Sequence, residues 1–185
     1  MKLILTRHGQ TLLNTQGITM GQLDSALTQA GEQQARRAGE MLSKTKVTAI
    51  YSSDLGRCRK TSEEIQKYLP GNPPLILVED LREINFGIYQ GKPCGDVPVI
   101  EGGYTTQPFP GGESNEVLAT RVITAVNKIY KDHKDETVLI VTHSGPIAVI
   151  VAAQSGAPLA DMGEHKVDNG QIIELKVSQP LTQPK

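Results

Sequence analysis

Four stretches of this chain set chemically capable residues at the end of an apolar run or beside a glycine. They are Arg7-His8-Gly9, Ser52-Ser53-Asp54 with Arg57, Arg82-Glu83, and His143-Ser144-Gly145. Together they offer arginines, two histidines and a carboxyl group in a protein whose formal charge is only −1. Guanidinium forks match phosphate oxygens, so a pair of arginines, Arg7 and Arg57, points to a phosphoryl site. Neutral imidazole is a nucleophile near pH 7 and forms covalent intermediates. Phosphoryl transfer needs charge stabilised over three equatorial oxygens with attacking and leaving groups in line. Arg7, Arg57 and a protonated His143 suit that task without a metal. The leaving alkoxide needs a proton, which a carboxylic acid of raised pKa can give before it activates water; Glu83 is the candidate. Taken singly, each residue has a plainer reading as a core histidine or a surface arginine.

Recurrence at strand ends is what joins them. Leu3-Ile4-Leu5 is a short apolar run stopping at Gly9, which reads as a buried strand opening into a loop. Residues 14–24 read as a polar loop, and Thr28 as the cap of a helix to about Lys44, weakened by Gly31 and Gly39. Val47 to Tyr51 reads as a second strand, and Ser53 or Asp54 as the cap of a helix from Leu55 to Tyr68. Leu75 to Val78 is a third apolar run. Residues 80–112 are rich in Gly and Pro and lack a period, the mark of a lid or pocket wall. Ser114 caps a helix with Leu118, Val122, Ala125 and Ile129 on one face. Thr137 to Thr142 is apolar on both faces, as in a central parallel strand, and runs into His143. Pro146 suits the first turn of a helix through Ala153. Gln171 to Val177 alternates as a half-exposed strand, and residues 178–185 read as a loose tail. This order predicts an α/β protein with a mainly parallel sheet, whose carboxyl edge would collect the candidate residues.

Composition sets the outer bounds. A length of 185 residues suits one domain, here 1–185, with a core that needs no disulfide or metal staple. Near-neutral charge argues against nucleic acid as a partner. Cys58 and Cys94 lie too far apart for a metal or redox motif and read as reduced structural thiols. No signal-like segment and no membrane-length apolar run is present, so a soluble, cytoplasmic protein is expected.

The residues 7–14, RHGQTLLN, resemble the RHGxTxxN signature of the histidine phosphatase superfamily, the phosphoglycerate mutase-like proteins. Ser52-Ser53-Asp54-Leu55-Gly56-Arg57 is similar to that family's SSDLxR segment, and Leu81 to Gly87 to its LxExxFG segment. Gly112-Glu113-Ser114 with Arg121 resembles its GES helix start, and Val141 to Gly145 its second histidine motif. The resemblance implies a three-layer α/β/α sandwich around a mixed sheet, with His8 phosphorylated and Arg7, Arg57 and His143 holding the phosphate. It further implies Glu83 as proton donor, Asn14 in the phosphate pocket, no metal or organic cofactor, and a small phosphorylated metabolite as partner. In three places the chain departs from the pattern. Met20 stands where Gln is common, Gln90 also fits the mutase form of its segment, and Ser144 replaces a frequent Gly.

The expected reaction is hydrolysis of a phosphomonoester. A phosphoglycerate-type mutase must keep water from phosphohistidine, and the stretch between Gly91 and Glu113 is short and without helical pattern. A phosphohistidine-protein phosphatase would not need the acid at Glu83, and a binding module would not need all five catalytic positions filled. Sugar, glycolytic and cobalamin-pathway phosphates remain open as substrates, as does the oligomeric state.

Overall fold

In the computed structural model, which describes residues 1–99, 104–165 and 167–184, the alternation of one strand divides the core in two. Strand β1 (Lys2–Arg7) sends Leu3 and Leu5 to one face of the sheet and Ile4 to the other. Strand β4 (Thr137–Thr142) does the same with Val138 and Ile140 against Leu139 and Val141. Successive side chains of a strand point to opposite faces, so a sheet apolar on both must be covered twice. On one side lie α2 (Gln29–Leu42) and α3 (Gly56–Gln66), giving Ala38, Leu42, Cys58 and Ile65. On the other lie α4 (Asn115–Asp132) and α5 (Ser144–Ser155), giving Leu118, Val122, Val126, Ile147 and Ile150. This is the expected three-layer α/β/α sandwich. A single turn, α1 (Leu12–Thr15), precedes α2, capped by the Thr11 hydroxyl.

The five strands run in the order β3-β2-β4-β1-β5, with β2 at Ala49–Ser52, β3 at Leu75–Leu77 and β5 at Ile172–Lys176. Only β5 is antiparallel to its neighbour. Register then places the functional edge: Arg7 pairs with Thr142 and Ser52 with Val141, so β1, β2 and β4 stop side by side. The residues that follow, His8, Ser53 and His143, share that edge.

Local signals placed α2 and α4 well. Thr28 accepts from the Gly31 N–H and Ser114 from the Val117 N–H. The expected cap of α3 was wrong. No side chain within the motif caps it; Asp24, from the loop after α1, accepts from the Gly56 and Arg57 N–H groups at 2.7 and 3.2 Å. Asp54 instead binds Arg82, whose Nε lies 2.7 Å from its carboxylate, so neither belongs to the site. Gly31 in α2 is explained by packing: a Cβ there would come within 2.1 Å of the Gln10 carbonyl.

Through residue 184, the last described, the tail is not loose. Leu181 is buried, its backbone N–H and C=O both pair with the Asn127 amide, and Tyr130 donates to Ser178 O. The irregular segment carries short 3-10 turns at Glu79–Leu81, Gly87–Tyr89 and Cys94–Asp96; its residues 100–103 lie outside those described. Phe109 is buried there, stacked on Tyr104 at 3.7 Å and packed on Phe86 at 4.8 Å, so packing is its role. Among the described residues, no helix is long and apolar enough to cross a membrane.

Candidate active site

A cavity of about 520 Å³ opens at the carboxyl edge of the sheet, with Arg7, His8, Asn14, Arg57 and Glu83 in its wall. His143 joins them through His8: the two rings meet edge to face with centroids 5.2 Å apart. All six residues expected at the site are thus brought together from five separate segments.

His8 is 2 % exposed, and its Nδ1 lies 2.8 Å from the Gly9 carbonyl. A carbonyl only accepts, so Nδ1 carries the proton and the Nε2 lone pair is left for other work. Arg57 Nε donates to that lone pair at 3.2 Å. Burial first, and the Arg57 charge next, hold His8 well below the ordinary imidazole pKa. The ring is therefore an unprotonated base in a dry place. Its loop is held by the Gly9 N–H on Thr61 Oγ1, the His8 N–H on Thr142 O, and the Asn169 amide on His8 O.

Arg57 is 1 % exposed, an extreme for arginine, because the loop after α1 supplies its partners. Its terminal nitrogens donate to Leu23 O at 2.6 Å and Gly21 O at 2.7 Å. With Nε on His8, that uses three of its five N–H groups and leaves two for an anion. Arg7 donates from Nη1 to Val167 O at 2.9 Å, while its Nε is buried without a partner. Unpaired buried donors are rare.

His143 is wholly buried, with Nε2 2.9 Å from Ser53 Oγ and 3.4 Å from Cys58 Sγ. Burial, then Arg57, His8 and Arg7, keep it well below the usual imidazole value. Burial first, and those charges next, therefore disfavour the protonated His143 that the sequence suggested. Asn14 Oδ1 accepts from both the N–H and the hydroxyl of Thr11, which leaves its NH₂ as the end able to donate. Met20, one departure from the family pattern, sets its sulfur 3.3 Å from the same Thr11 hydroxyl, as a second acceptor for the single proton shared with Asn14 Oδ1.

Glu83 accepts from Gly145 N at 3.2 and 3.3 Å and from Ile84 N at 2.9 Å. Gly145 leaves room for this contact, since a Cβ would fall 2.3 Å from Glu83 Oε1 and displace the carboxylate. The segment beneath is clamped by Arg121, a residue noticed in the sequence as part of a motif but given no task. Its guanidinium donates to the carbonyls of Asp80, Arg82 and Glu83 and forks onto Glu113 at 2.6 and 3.1 Å. Glu113 in turn accepts from Asn85 N. Asp24, Ser53, Val167 and Asn169 were also missed as supports. Asn169-Gly170 carried a turn signal, whereas nothing local marks Asp24 as the partner of a helix more than thirty residues on.

Among the described residues, the expected segment 80–112 gives Glu83, Phe86, Cys94 and Val97 to the cavity wall, and it shares that wall with the loop after α1. Ile18, Thr19, Met20 and Gly21 form one side of it.

The arrangement offers a nucleophilic nitrogen, buried arginine donors and a carboxylate about one cavity, the needs of phosphoryl transfer. Comparison with known proteins agrees. Residues 3–182 match the family model described as histidine phosphatase superfamily (branch 1). The chain is 35% identical over 159 residues to a metal-independent phosphoserine phosphatase of Arabidopsis thaliana, covering 80% of this chain and 66% of the relative. It is 36% identical over 156 residues to phosphoglycerate mutase-like protein 4 of the same plant, covering 79% of this chain and 67% of that one. The solved structure of Bacillus stearothermophilus YhfR superposes with a TM-score of 0.89 at 30% identity, over 97% of this chain and 93% of its own. Family match and site together make the chain a member of the histidine phosphatase superfamily and a phosphoric monoester hydrolase.

Proposed function

We propose that this protein hydrolyses a small-metabolite phosphomonoester through a phosphohistidine formed on His8, without a metal. The observation that carries the reading is the meeting of His8, its Nε2 free of a proton, with Arg7 and Arg57 in the wall of one cavity. Phosphate oxygens satisfy Arg7, the two free N–H groups of Arg57 and the Asn14 amide. The dianion's charge offsets the positive neighbours that keep His143 neutral, so His143 gains its proton as substrate arrives. Arg57 Nε–H passes from His8 Nε2 to a phosphate oxygen, Nε2 attacks phosphorus, the bond to the alcohol oxygen breaks, and its electron pair leaves with that oxygen, which Glu83 protonates. Nδ1–H stays on the Gly9 carbonyl, so the ring becomes a phosphoimidazolium, a good leaving group. Water then attacks phosphorus, Glu83 takes the water proton, and the P–N electron pair returns to Nε2.

Hydrolysis rather than phosphoryl return is favoured because the described part of residues 80–112 holds only single 3-10 turns and no helix to close the cavity against water. Glu83, held in the cavity wall by the Ile84 and Gly145 N–H groups, is the proton source that an alkyl ester needs for its leaving oxygen. The test is hydrolysis of p-nitrophenyl phosphate with trapping of the phosphoenzyme. His8→Ala should remove both turnover and an acid-labile phosphoryl group, and EDTA should leave wild-type rates unchanged. Retained turnover in His8→Ala would overturn the nucleophile; loss of activity in EDTA would overturn the metal-free route.

A further inference from the structure

The loop on one side of the cavity is stitched to the segment that follows Glu83. Thr19 pairs both of its backbone groups there, its N–H on Lys92 O and its C=O with the Gly91 N–H, each at 2.8 Å. Beyond this ladder the loop turns sharply at residues 20–23, closed by the Leu23 N–H on Met20 O at 3.0 Å. Two carbonyls of that turn, Gly21 O and Leu23 O, take the terminal nitrogens of Arg57. Its Gln22 N–H donates instead to Gln90 Oε1 at 2.7 Å. A backbone N–H only donates, so the end of the Gln90 carboxamide facing it is the oxygen. The fit is close: Gly21 has φ +54°, and a Cβ there would fall 2.2 Å from Gln90 Oε1. The Gln22 side chain donates to Glu83 O at 3.3 Å, so the same turn also touches the backbone of the proton donor.

Resting on the hydrolase reading above, we propose that Gln90 is a positioning residue for Arg57, its carboxamide oxygen fixing the turn whose carbonyls hold the guanidinium. The Gly21 carbonyl and the Gln22 N–H are the two ends of one planar trans peptide. Gln90 therefore grips one end of the unit whose other end holds Arg57 Nη2. Glycine at position 21 leaves that unit free to rotate, since no Cβ restrains it. Without the Gln90 acceptor, the N–H of half-buried Gln22 is left unpaired, the peptide turns, and its carbonyl leaves the guanidinium. Arg57 then loses one of the two carbonyls that aim its remaining N–H groups at the phosphate. Gln90 acts through Arg57 and need not touch the substrate.

The experiment measures binding of inorganic phosphate by calorimetry and hydrolysis of p-nitrophenyl phosphate, whose leaving group needs the acid least. Gln90→Met keeps the length of the side chain but loses the carboxamide oxygen. It should raise the phosphate Kd about tenfold, the effect of one uncharged hydrogen bond, and lower kcat/KM by at least about tenfold. Gln90→Ala, which cannot crowd Gly21, should show the same losses. Gln90→Glu keeps an acceptor oxygen and should stay within about threefold of the wild type. In an Arg57→Lys background, Gln90→Met should lower kcat/KM by less than a further factor of about two, because both changes act on one contact. Wild-type phosphate affinity in the Met and Ala variants, losses in the Glu variant equal to theirs, or losses that multiply with Arg57→Lys would overturn the proposal. Phosphate binding reads the Gln90 effect without turnover. A wild-type protein that binds phosphate yet hydrolyses no ester therefore refutes only the hydrolase reading beneath it.

Discussion

Replacing Arg121 by lysine keeps a positive charge on α4 but discards a fork that no lysine can reproduce. Arg121 makes five contacts: two with Glu113 and one each with the carbonyls of Asp80, Arg82 and Glu83. A lysine ammonium at that place can hold one or two of them. Hydrogen bonds to a charged group contribute about 1.5–3 kcal/mol each, and water replaces part of the loss at a side chain 17 % exposed, so global stability should fall by roughly 2–3 kcal/mol. The larger effect should be catalytic. Freed from three carbonyl anchors, the Glu83 backbone drifts, and a misplacement near 1 Å costs on the order of 100-fold in rate. That loss should appear in kcat/KM for an alkyl phosphate, whose leaving oxygen needs the acid, and shrink to a few-fold for p-nitrophenyl phosphate, whose leaving group does not. Phosphoenzyme trapping should still find label on His8. A double variant with Glu83→Gln should be no worse on the alkyl ester than Glu83→Gln alone. Equal losses on both esters, or losses that multiply in the double variant, would show that Arg121 serves stability alone and refute its positioning of Glu83.

Three further outcomes are expected. Gly145→Ala pushes a methyl to within 2.3 Å of Glu83 Oε1, so kcat/KM for alkyl esters should drop at least tenfold while α5 stays folded by circular dichroism; unchanged kinetics would remove the Glu83–α5 contact from the mechanism. His8 and His143 are both held below the ordinary imidazole value of 6.5, so below that pH the unfolded chain binds protons the native site refuses. Stability should therefore fall with pH between 6.5 and 5, by at most about 2.7 kcal/mol per unit for two protons. Urea titrations of His143→Gln should flatten that slope; an unaltered slope would mean the histidines are not its source. Leu181→Ala should cost about 2 kcal/mol, at the low end for a buried leucine because the site borders solvent, and a midpoint shift near zero would return the tail to the loose state its composition suggested.

How far the sequence reached depends on how local each signal is. Strand β1, helices α2 and α4, and the arrival of β4 at His143 were legible because alternation, helical spacing and capping residues act within a few positions. So was the meeting of Arg7, His8, Arg57, Glu83 and His143, because parallel strands ending beside glycines leave their next residues on one edge. What that edge would look like was decided by segments distant in the chain. Asp24 caps α3 and holds the Arg57 side at 3.6 Å, Val167 takes one end of Arg7, and Arg121 with Glu113 carries the Glu83 backbone. None of these partners has a periodic or spacing signature, since a hydrogen bond between remote residues constrains neither neighbour's sequence. Protonation was likewise out of reach. Composition made His143 a plausible cation, whereas complete burial beside Arg57, His8 and Arg7 pushes its pKa well below the ordinary imidazole value. The sequence alone thus determined which groups meet at the site and which edge presents them. Tertiary packing alone decided their charge, their supports and the apolar wall of Ile18, Met20, Phe86 and Val97, because those depend on desolvation and long-range contacts.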